Sequence, residues 1–397
     1  MSRAERIFVL VLAMVQFTHI MDFMILMPLG PQLMRIFEIN PQQFGFIVSV
    51  YTFAAGVSGF LGAFFLDKFD RKKALLVLYV GFAAGTLGCA LAPSYPILLV
   101  ARAVAGIFGG IMGALILSIV GDTIPMVRRG EAMGILMASF SVASVAGVPF
   151  GLYLASVFSW HAPFFFVAGI ALLNMLMIWY RIPNMTGHIN ENIQSVPPVE
   201  VLARVGRDKN QVRALCFTSL LMLSQFILIP FVAQAMVANG GMREDQLPLM
   251  YLFGGGMTIF TSPLVGRIAD RRGKKIVFTI ASLLLIIPQI LITNLWPMPV
   301  AIALLITTIF FVVGNARFIP SMALVTATVR PETRGSFMSV NTAVQSLSQA
   351  IASLIAGFIV QLGASGQLLN YNWAGYFAIV MSLLAIPVGR RLMAVEN

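Results

Sequence analysis

The chain has 397 residues, 59% of them apolar and 10% charged, with a mean hydropathy of +0.90. Soluble domains carry about a quarter charged residues, so a water-soluble globule is excluded and lipid is the solvent for most of this surface. The formal net charge of +11 invites a nucleic-acid partner, but the placement of the charges excludes one.

Twelve apolar stretches are long enough to cross a hydrocarbon core of roughly 30 Å as helices. They fall near 7–33, 42–66, 74–92, 96–120, 131–157, 163–181, 212–237, 247–268, 276–294, 300–325, 336–360 and 373–389. The opening MSRAERIFVLVLAMV starts basic, as a signal peptide does. Its apolar run continues well beyond a signal's hydrophobic region and offers no convincing cleavage site, so an uncleaved first helix is expected. Within it Gln16, His19 and Asp22 follow at three-residue spacing on one helical face. Asp22 is the one acidic residue in the middle of any span.

With the N-terminus in the cytoplasm, 22 of the 26 Lys and Arg fall on the cytoplasmic side. Arg35 and Arg243 fall outside, and Arg102 and Arg317 lie within spans. This asymmetry is the positive-inside rule, and it predicts a multi-pass protein of a bacterial inner membrane with both termini cytoplasmic. The basic charge is therefore topology. Cys89 and Cys216 lie in separate spans, so neither a disulfide nor a metal site is expected, and no cofactor is implied.

The longest polar interruption, 182–211, contains RIPNMTGHINENIQSVPPVEV. Its Pro and Asn content reads as a cytoplasmic linker rather than a helix. It divides the chain into a bundle over 1–181 and a bundle over 212–397, six spans each. The halves repeat. GAFFLDKFDRKKALL follows span 2 and VGRIADRRGKKIVF follows span 8, with Asp67 and Asp270 203 residues apart. PMVRRGEAMG and PETRGSFMS follow spans 4 and 10, with Gly130 and Gly335 205 apart, and Pro28 matches Pro230 at nearly the same offset. Parallel halves of this kind are a transporter architecture, with the substrate site near the midplane.

Gly266, Asp270, Arg271, Gly273, Lys274 and Lys275 fit the pattern G-x-x-x-D-R-x-G-[RK]-[RK], and the chain thereby resembles the major facilitator superfamily. In the first copy Ala63 replaces the first glycine, Lys68 the arginine and Asp70 the second glycine. ARAVAGIFGG in span 4 is similar to the superfamily's R-x-x-x-G stretch at Arg102 and Gly106. AGVPFGLYLA in span 5 resembles its antiporter motif at Gly147, Pro149 and Gly151, and SWHAPFFF resembles the drug:proton antiporter and sugar-efflux branch. The resemblance covers essentially the whole chain. It implies an all-α membrane protein of 12 transmembrane helices in two pseudo-symmetric six-helix bundles, working as an alternating-access exporter. A monomer in the bilayer, with a small molecule and protons as partners, is expected.

Asp67 and Asp270 stand at the cytoplasmic mouth, where a carboxylate facing a helix N-terminus favours the closed mouth. Together with Arg71 and Asp122, placed to pair, and with Arg271 and Gly273, they are read as gating residues; plain topology is the alternative. In span 5 the glycines permit close helix approach and Pro149 a bend, and ordinary packing competes with a direct part in antiport. Intramembrane ionisable residues mark ion and proton pathways, so Asp22 is expected to carry a coupling proton, with His19 as relay and Arg102 as the tuning charge. A permanent Asp22–Arg102 salt bridge is the competing reading. Substrate contacts are expected from Gln16, Gln225, Asn315, Arg317, Asn341, Gln345 and Gln349, a polar set that solubility does not explain inside a membrane. Arg317 either meets an anionic or zwitterionic group or snorkels to the cytoplasmic headgroups.

No G-x-S-x-G, H-E-x-x-H or phosphate-loop lysine occurs and there are only three histidines, which argues against an enzyme. The expected function is proton-coupled efflux of a small amphipathic or lipophilic molecule. A lipid or lysolipid exporter of the spinster type and a non-transporting sensor on the same fold are the alternatives.

Overall fold

A computed structural model describes residues 1–62, 64–186, 197–330 and 333–395, without the side chain of Asp67. The first half runs through α1 (Arg3–Ile25), α2 (Gly30–Ile36), α3 (Pro41–Gly62), α4 (Arg71–Ala90), α5 (Tyr95–Thr123), α6 (Met126–Val142), α7 (Val148–Val157) and α8 (Ala162–Arg181). The second runs through α9 (Pro198–Arg207), α10 (Lys209–Phe226), α11 (Ile229–Ala238), α12 (Leu247–Arg272), α13 (Lys274–Thr293), α14 (Val300–Thr326), α15 (Arg334–Ile359) and α16 (Tyr371–Arg390). A two-stranded antiparallel ribbon, β1 (Gln361–Leu362) and β2 (Leu368–Leu369), links α15 to α16. Twelve segments among the described residues are long and apolar enough to span a bilayer, each overlapping one of the twelve expected stretches.

Two expectations need correction. The first span does not run to residue 33, because α1 ends at Ile25 and residues 26–29 form a turn. Pro28 sits in that turn, and the chain turns again just before Pro230, between α10 and α11. A proline lacks the N–H that a continuous helix needs, so both breaks come from the repeated proline. The 182–211 segment is not helix-free either: Pro198 opens α9, whose Val201 and Val205 are buried on one face and whose Glu200 pairs with Arg204. Residues 187–196 of that expected linker lie outside the described residues.

By internal contacts the chain separates into two compact units. One comprises Met1–Leu26 and Val50–Pro198, the other Met27–Ser49 and Val199–Asn397. In lipid, helices associate through close packing of small residues and interhelical hydrogen bonds rather than through a hydrophobic drive. The first unit shows both. A Cβ on Gly106 would lie 2.4 Å from the Tyr51 carbonyl oxygen, and one on Gly110 only 2.2 Å from that of Ala55, so α3 and α5 touch backbone to backbone. Thr18 and Tyr79 share a hydrogen bond of 2.9 Å, Ser139 donates to the Ala13 carbonyl (2.9 Å) and Asn174 to that of Val11 (3.2 Å). Around these bonds Leu12, Val15, Tyr79, Phe82, Met112 and Leu115 are buried.

In the second unit, the residue 27–49 segment joins the later helices. A Cβ on Gly45 would meet the Ser353 carbonyl at 2.8 Å, and Phe44 packs edge-on against Phe231. Arg35 makes a two-pronged ion pair with Glu244, at 2.6 and 3.2 Å. Hydrogen bonding to that carboxylate raises the Arg35 guanidinium above its ordinary value. Arg243 pairs in the same way with Asp245.

Asp70 has a local job. One carboxylate oxygen caps α4 by accepting from the Lys73 N–H (3.0 Å), and the other accepts from the Met185 N–H (2.9 Å). The Arg71 N–H returns a bond to the Met185 carbonyl. The chain beyond α8 is thereby fastened to the start of α4. Asp70→Ala is expected to cost about 1 kcal/mol for the cap alone and to make residues 182–186 more open to limited proteolysis. Cleavage at the wild-type rate would contradict this role.

Candidate functional site

Asp22 lies near the end of α1, with no exposed surface. The Arg102 guanidinium, from α5, donates to its Oδ2 at 2.7 Å, and the Thr86 hydroxyl, from α4, donates to its Oδ1 at 3.1 Å. Arg102 is itself completely buried and lies over the Tyr51 ring, 4.1 Å from the centroid. A cation over an aromatic face gains more when desolvated than when exposed. Three helices therefore hold the charged pair, and Tyr51 closes it from α3.

His19 shares the helical face of Asp22, three residues earlier, with its ring 6.4 Å from that of Tyr51 and 5.9 Å from that of Phe82. Gly109 makes room for it, since a Cβ there would sit 2.8 Å from the imidazole. Neither His19 ring nitrogen, nor the Tyr51 hydroxyl, nor Arg102 Nε has a hydrogen-bond partner among the described residues. Buried polar atoms of this kind are ordinarily satisfied by protein or water. The arrangement is chemically suited to a water-bridged relay from His19 toward Asp22. Gln16 is half-buried one turn further back.

Gln16 lies in the first unit, and the other six expected substrate contacts lie in the second, not all with free side chains. Arg317 is 3% exposed. It donates to the hydroxyls of Ser224 (3.1 Å) and Ser382 (2.8 Å) and to Gln225 Oε1 (3.1 Å). It therefore does not snorkel to a headgroup. Asn341 is buried and accepts from the Thr218 hydroxyl at 2.8 Å, which makes it a link between α10 and α15. Asn315 donates to Ser262 (2.8 Å), Gln349 contacts the Met222 sulfur, and Gln345 is half-buried.

The profile of the Major Facilitator Superfamily covers residues 12–212 and 214–396. The chain belongs to the major facilitator superfamily. Among superfamily relatives it is 24% identical to the uncharacterized transporter YceJ of Bacillus subtilis (strain 168) over 349 residues, 86% of each chain. It is 27% identical to a chloramphenicol resistance protein of Streptomyces lividans over 350 residues, again 86% of each. A probable sugar efflux transporter of Helicobacter pylori (strain P12) is 23% identical over 258 residues, 65% of this chain and 64% of that one. Among solved superfamily structures, an inward-facing bacterial homolog of the human lysosomal transporter Spinster superposes with a TM-score of 0.78 at 14% identity, over 100% of both chains. A D-xylose–proton symporter gives 0.76 at 16% identity over 96% of both. The protein is thus a multi-pass membrane transporter with the superfamily fold, and not an enzyme.

The superfamily motif residues occupy helix ends. Arg71 is buried and pairs with Asp122 at 3.1 Å, as their spacing implied. Asp270 and Arg271 are exposed in the last turn of α12. Gly273 joins α12 to α13 at φ +95°, a conformation that strains any residue with a Cβ. The side chain of Asp67 lies outside the described residues. In span 5, a π-helical turn at Ala143–Gly147 precedes Pro149. A Cβ on Gly147 would meet Met21 at 3.3 Å, and one on Gly151 would meet Ile25 at 2.7 Å. The antiporter-like motif therefore packs on the turn of α1 that carries Asp22.

Four site residues were not singled out from sequence. Thr86 and Ser382 are single hydroxyls in apolar helices, Tyr51 is one aromatic among many, and Gln289 is the one amide in α13. Gln289 alone carried a signal, because an amide within an apolar span needs a partner.

Proposed function

We propose that the protein is a proton-coupled antiporter that exports a small amphipathic or lipophilic molecule by alternating access. Asp22 is its coupling site, His19 a relay and Arg102 the charge that sets the affinity of Asp22 for its proton. The observation that carries this reading is the burial of Asp22 between a cation and a hydroxyl supplied by two other helices. Protonation of Asp22 frees Arg102 and loosens the tie between α1 and α5, so proton occupancy and helix packing are linked. The packing of Gly147 and Gly151 on Met21 and Ile25 passes that change to span 5. Arg71, Asp122, Asp67, Asp270, Arg271 and Gly273 gate the cytoplasmic mouth. Gln16, Gln225, Asn315, Arg317, Asn341, Gln345 and Gln349 line or support the cargo path. The bundles 1–181 and 212–397 are the moving bodies, 182–211 joins them, both termini are cytoplasmic, and the monomer is the working form.

The direction of transport draws on the relatives whose names are those of a chloramphenicol resistance protein and a probable sugar efflux transporter. A potential of 100 mV supplies about 2.3 kcal/mol per elementary charge, enough for one proton to drive useful export. Everted vesicles containing the protein, loaded with an acidic lumen and offered chloramphenicol and a panel of amphipathic antibiotics and sugars, test this. Accumulation of at least one compound that stops when nigericin collapses the pH gradient is expected. Accumulation that survives nigericin and valinomycin together contradicts proton coupling.

A further inference from the structure

The internal repeat aligns the buried pair of the first unit with a second polar cluster. Ser224 lies 202 residues after Asp22, the interval that also separates Pro28 and Pro230. Gln289 lies 203 residues after Thr86, the interval between Asp67 and Asp270. The contacts correspond: Thr86 donates to Asp22 in one unit and Gln289 to Ser224 (3.3 Å) in the other. Each cluster receives a guanidinium, Arg102 from α5 and Arg317 from α14.

One difference decides the chemistry. Where Asp22 supplies a carboxylate, the second cluster has the neutral hydroxyl of Ser224. Arg317 uses three of its five donors, all on neutral acceptors: Ser224, Ser382 and Gln225. No described carboxylate forms an ion pair with it. The amide oxygen of Gln289 is buried without a partner among the described residues; it is an acceptor and adds no counter-charge for Arg317. A buried charge without a counter-charge is costly, and the natural remedy is an anion from outside the chain. Gln225 is half-buried, whereas Arg317, Ser224 and Ser382 are buried. That side of the cluster is therefore its approachable edge.

We propose that Arg317, with Ser224, Gln225 and Ser382, binds the anionic group of the transported molecule, a carboxylate or a group of the same charge and size. The cluster carries the positive charge, and the two serines and Gln225 fix its fork. Only the statement that the anion belongs to the cargo rests on the efflux reading; the anion site stands on the geometry of the cluster.

The test uses the full-length protein in nanodiscs of zwitterionic lipid, titrated with sodium benzoate. Benzamide, with sodium chloride added to match the ionic strength, serves as the uncharged isostere, and sodium chloride alone as the bare anion. Melting temperature is the readout. Benzoate is expected to stabilise the wild type at a concentration at least tenfold lower than benzamide. Arg317→Gln loses that response. Because it also removes a buried bonding centre, Ser224→Asp is the second variant: it supplies the missing carboxylate, so it should raise the ligand-free melting temperature and abolish the benzoate response. Equal effects of benzoate and benzamide on the wild type, including none from either, overturn the proposal, as does a benzoate response that persists in Ser224→Asp. Chloride matching benzoate mole for mole assigns the site to an inorganic anion and overturns its assignment to cargo. The benzoate response is read in the wild type with no pH gradient present, so a failure of proton coupling in the vesicle assay leaves this result intact and the two failures are distinguishable.

Discussion

Replacing Asp22 by asparagine is expected to abolish pH-driven export and to destabilise the protein by about 3–5 kcal/mol, the cost of leaving one partner of a buried ion pair unpaired. Arg102 is the partner left behind, with no exposed surface and its Nε already without a hydrogen-bond partner among the described residues. Loss of transport in this variant alone does not separate coupling from folding. The double variant Asp22→Asn/Arg102→Gln does. Two neutral amides in place of the pair remove the uncompensated charge, so most of the lost stability should return in a melting experiment. Export driven by a pH gradient should not return, because no carboxylate remains at residue 22 to carry the coupling proton and His19 has no acid to relay to. If the double variant recovers both stability and gradient-driven export, the pair is only a helix clamp, and the coupling proton lies elsewhere.

A second large effect is expected at the crossing of α3 and α5. A methyl group at Gly110 would stand 2.2 Å from the Ala55 carbonyl oxygen and 2.4 Å from its Cα. Neither atom belongs to a flexible side chain, so the helices must separate. Overpacking of this kind costs about 1–3 kcal/mol, and backbone against backbone places Gly110→Ala at the upper end. Separation of the two helices also moves Tyr51, which lies on the Arg102 guanidinium. Gly113→Ala is the internal control: on the same helix, a Cβ at Gly113 meets nothing within 4 Å. A melting temperature clearly lowered by the first and unaffected by the second is expected. Equal effects would mean that the crossing does not set stability.

Much of this architecture was legible in the sequence, for identifiable reasons. Membrane spans are written in composition, because the bilayer tolerates few alternatives to a continuous apolar helix. All twelve therefore stood out, with boundaries displaced mainly where Pro28 breaks α1. The Asp22–Arg102 pair followed from charge scarcity, since Arg102 is the natural cation within the spans of that half, whereas Arg71 pairs with Asp122 although Asp67 and Asp70 lie nearer in sequence. The fate of Arg317 was not legible. Snorkelling and burial are equally compatible with its depth in span 10. The choice is made by Ser224, Gln225 and Ser382 on two other helices, whose approach no single helix encodes. Asn341 belongs to the same class, since a polar stripe on α15 does not say which of its members bonds across to α10, as the Asn341 oxygen does with Thr218. The helix α9 was hidden by its prolines, because Pro198 reads as a breaker yet serves as the first residue of a helix.

The central claim is that Asp22 exchanges its proton for cargo, and its most direct measurement is proton release on binding. Purified wild-type protein in weakly buffered detergent is mixed with a compound accumulated in the vesicle assay. The released protons are counted with a pH-sensitive dye. Proton release by the wild type and none by Asp22→Asn, with binding retained in both, is the predicted result. Binding without release in the wild type, or equal release from Asp22→Asn, would contradict the account.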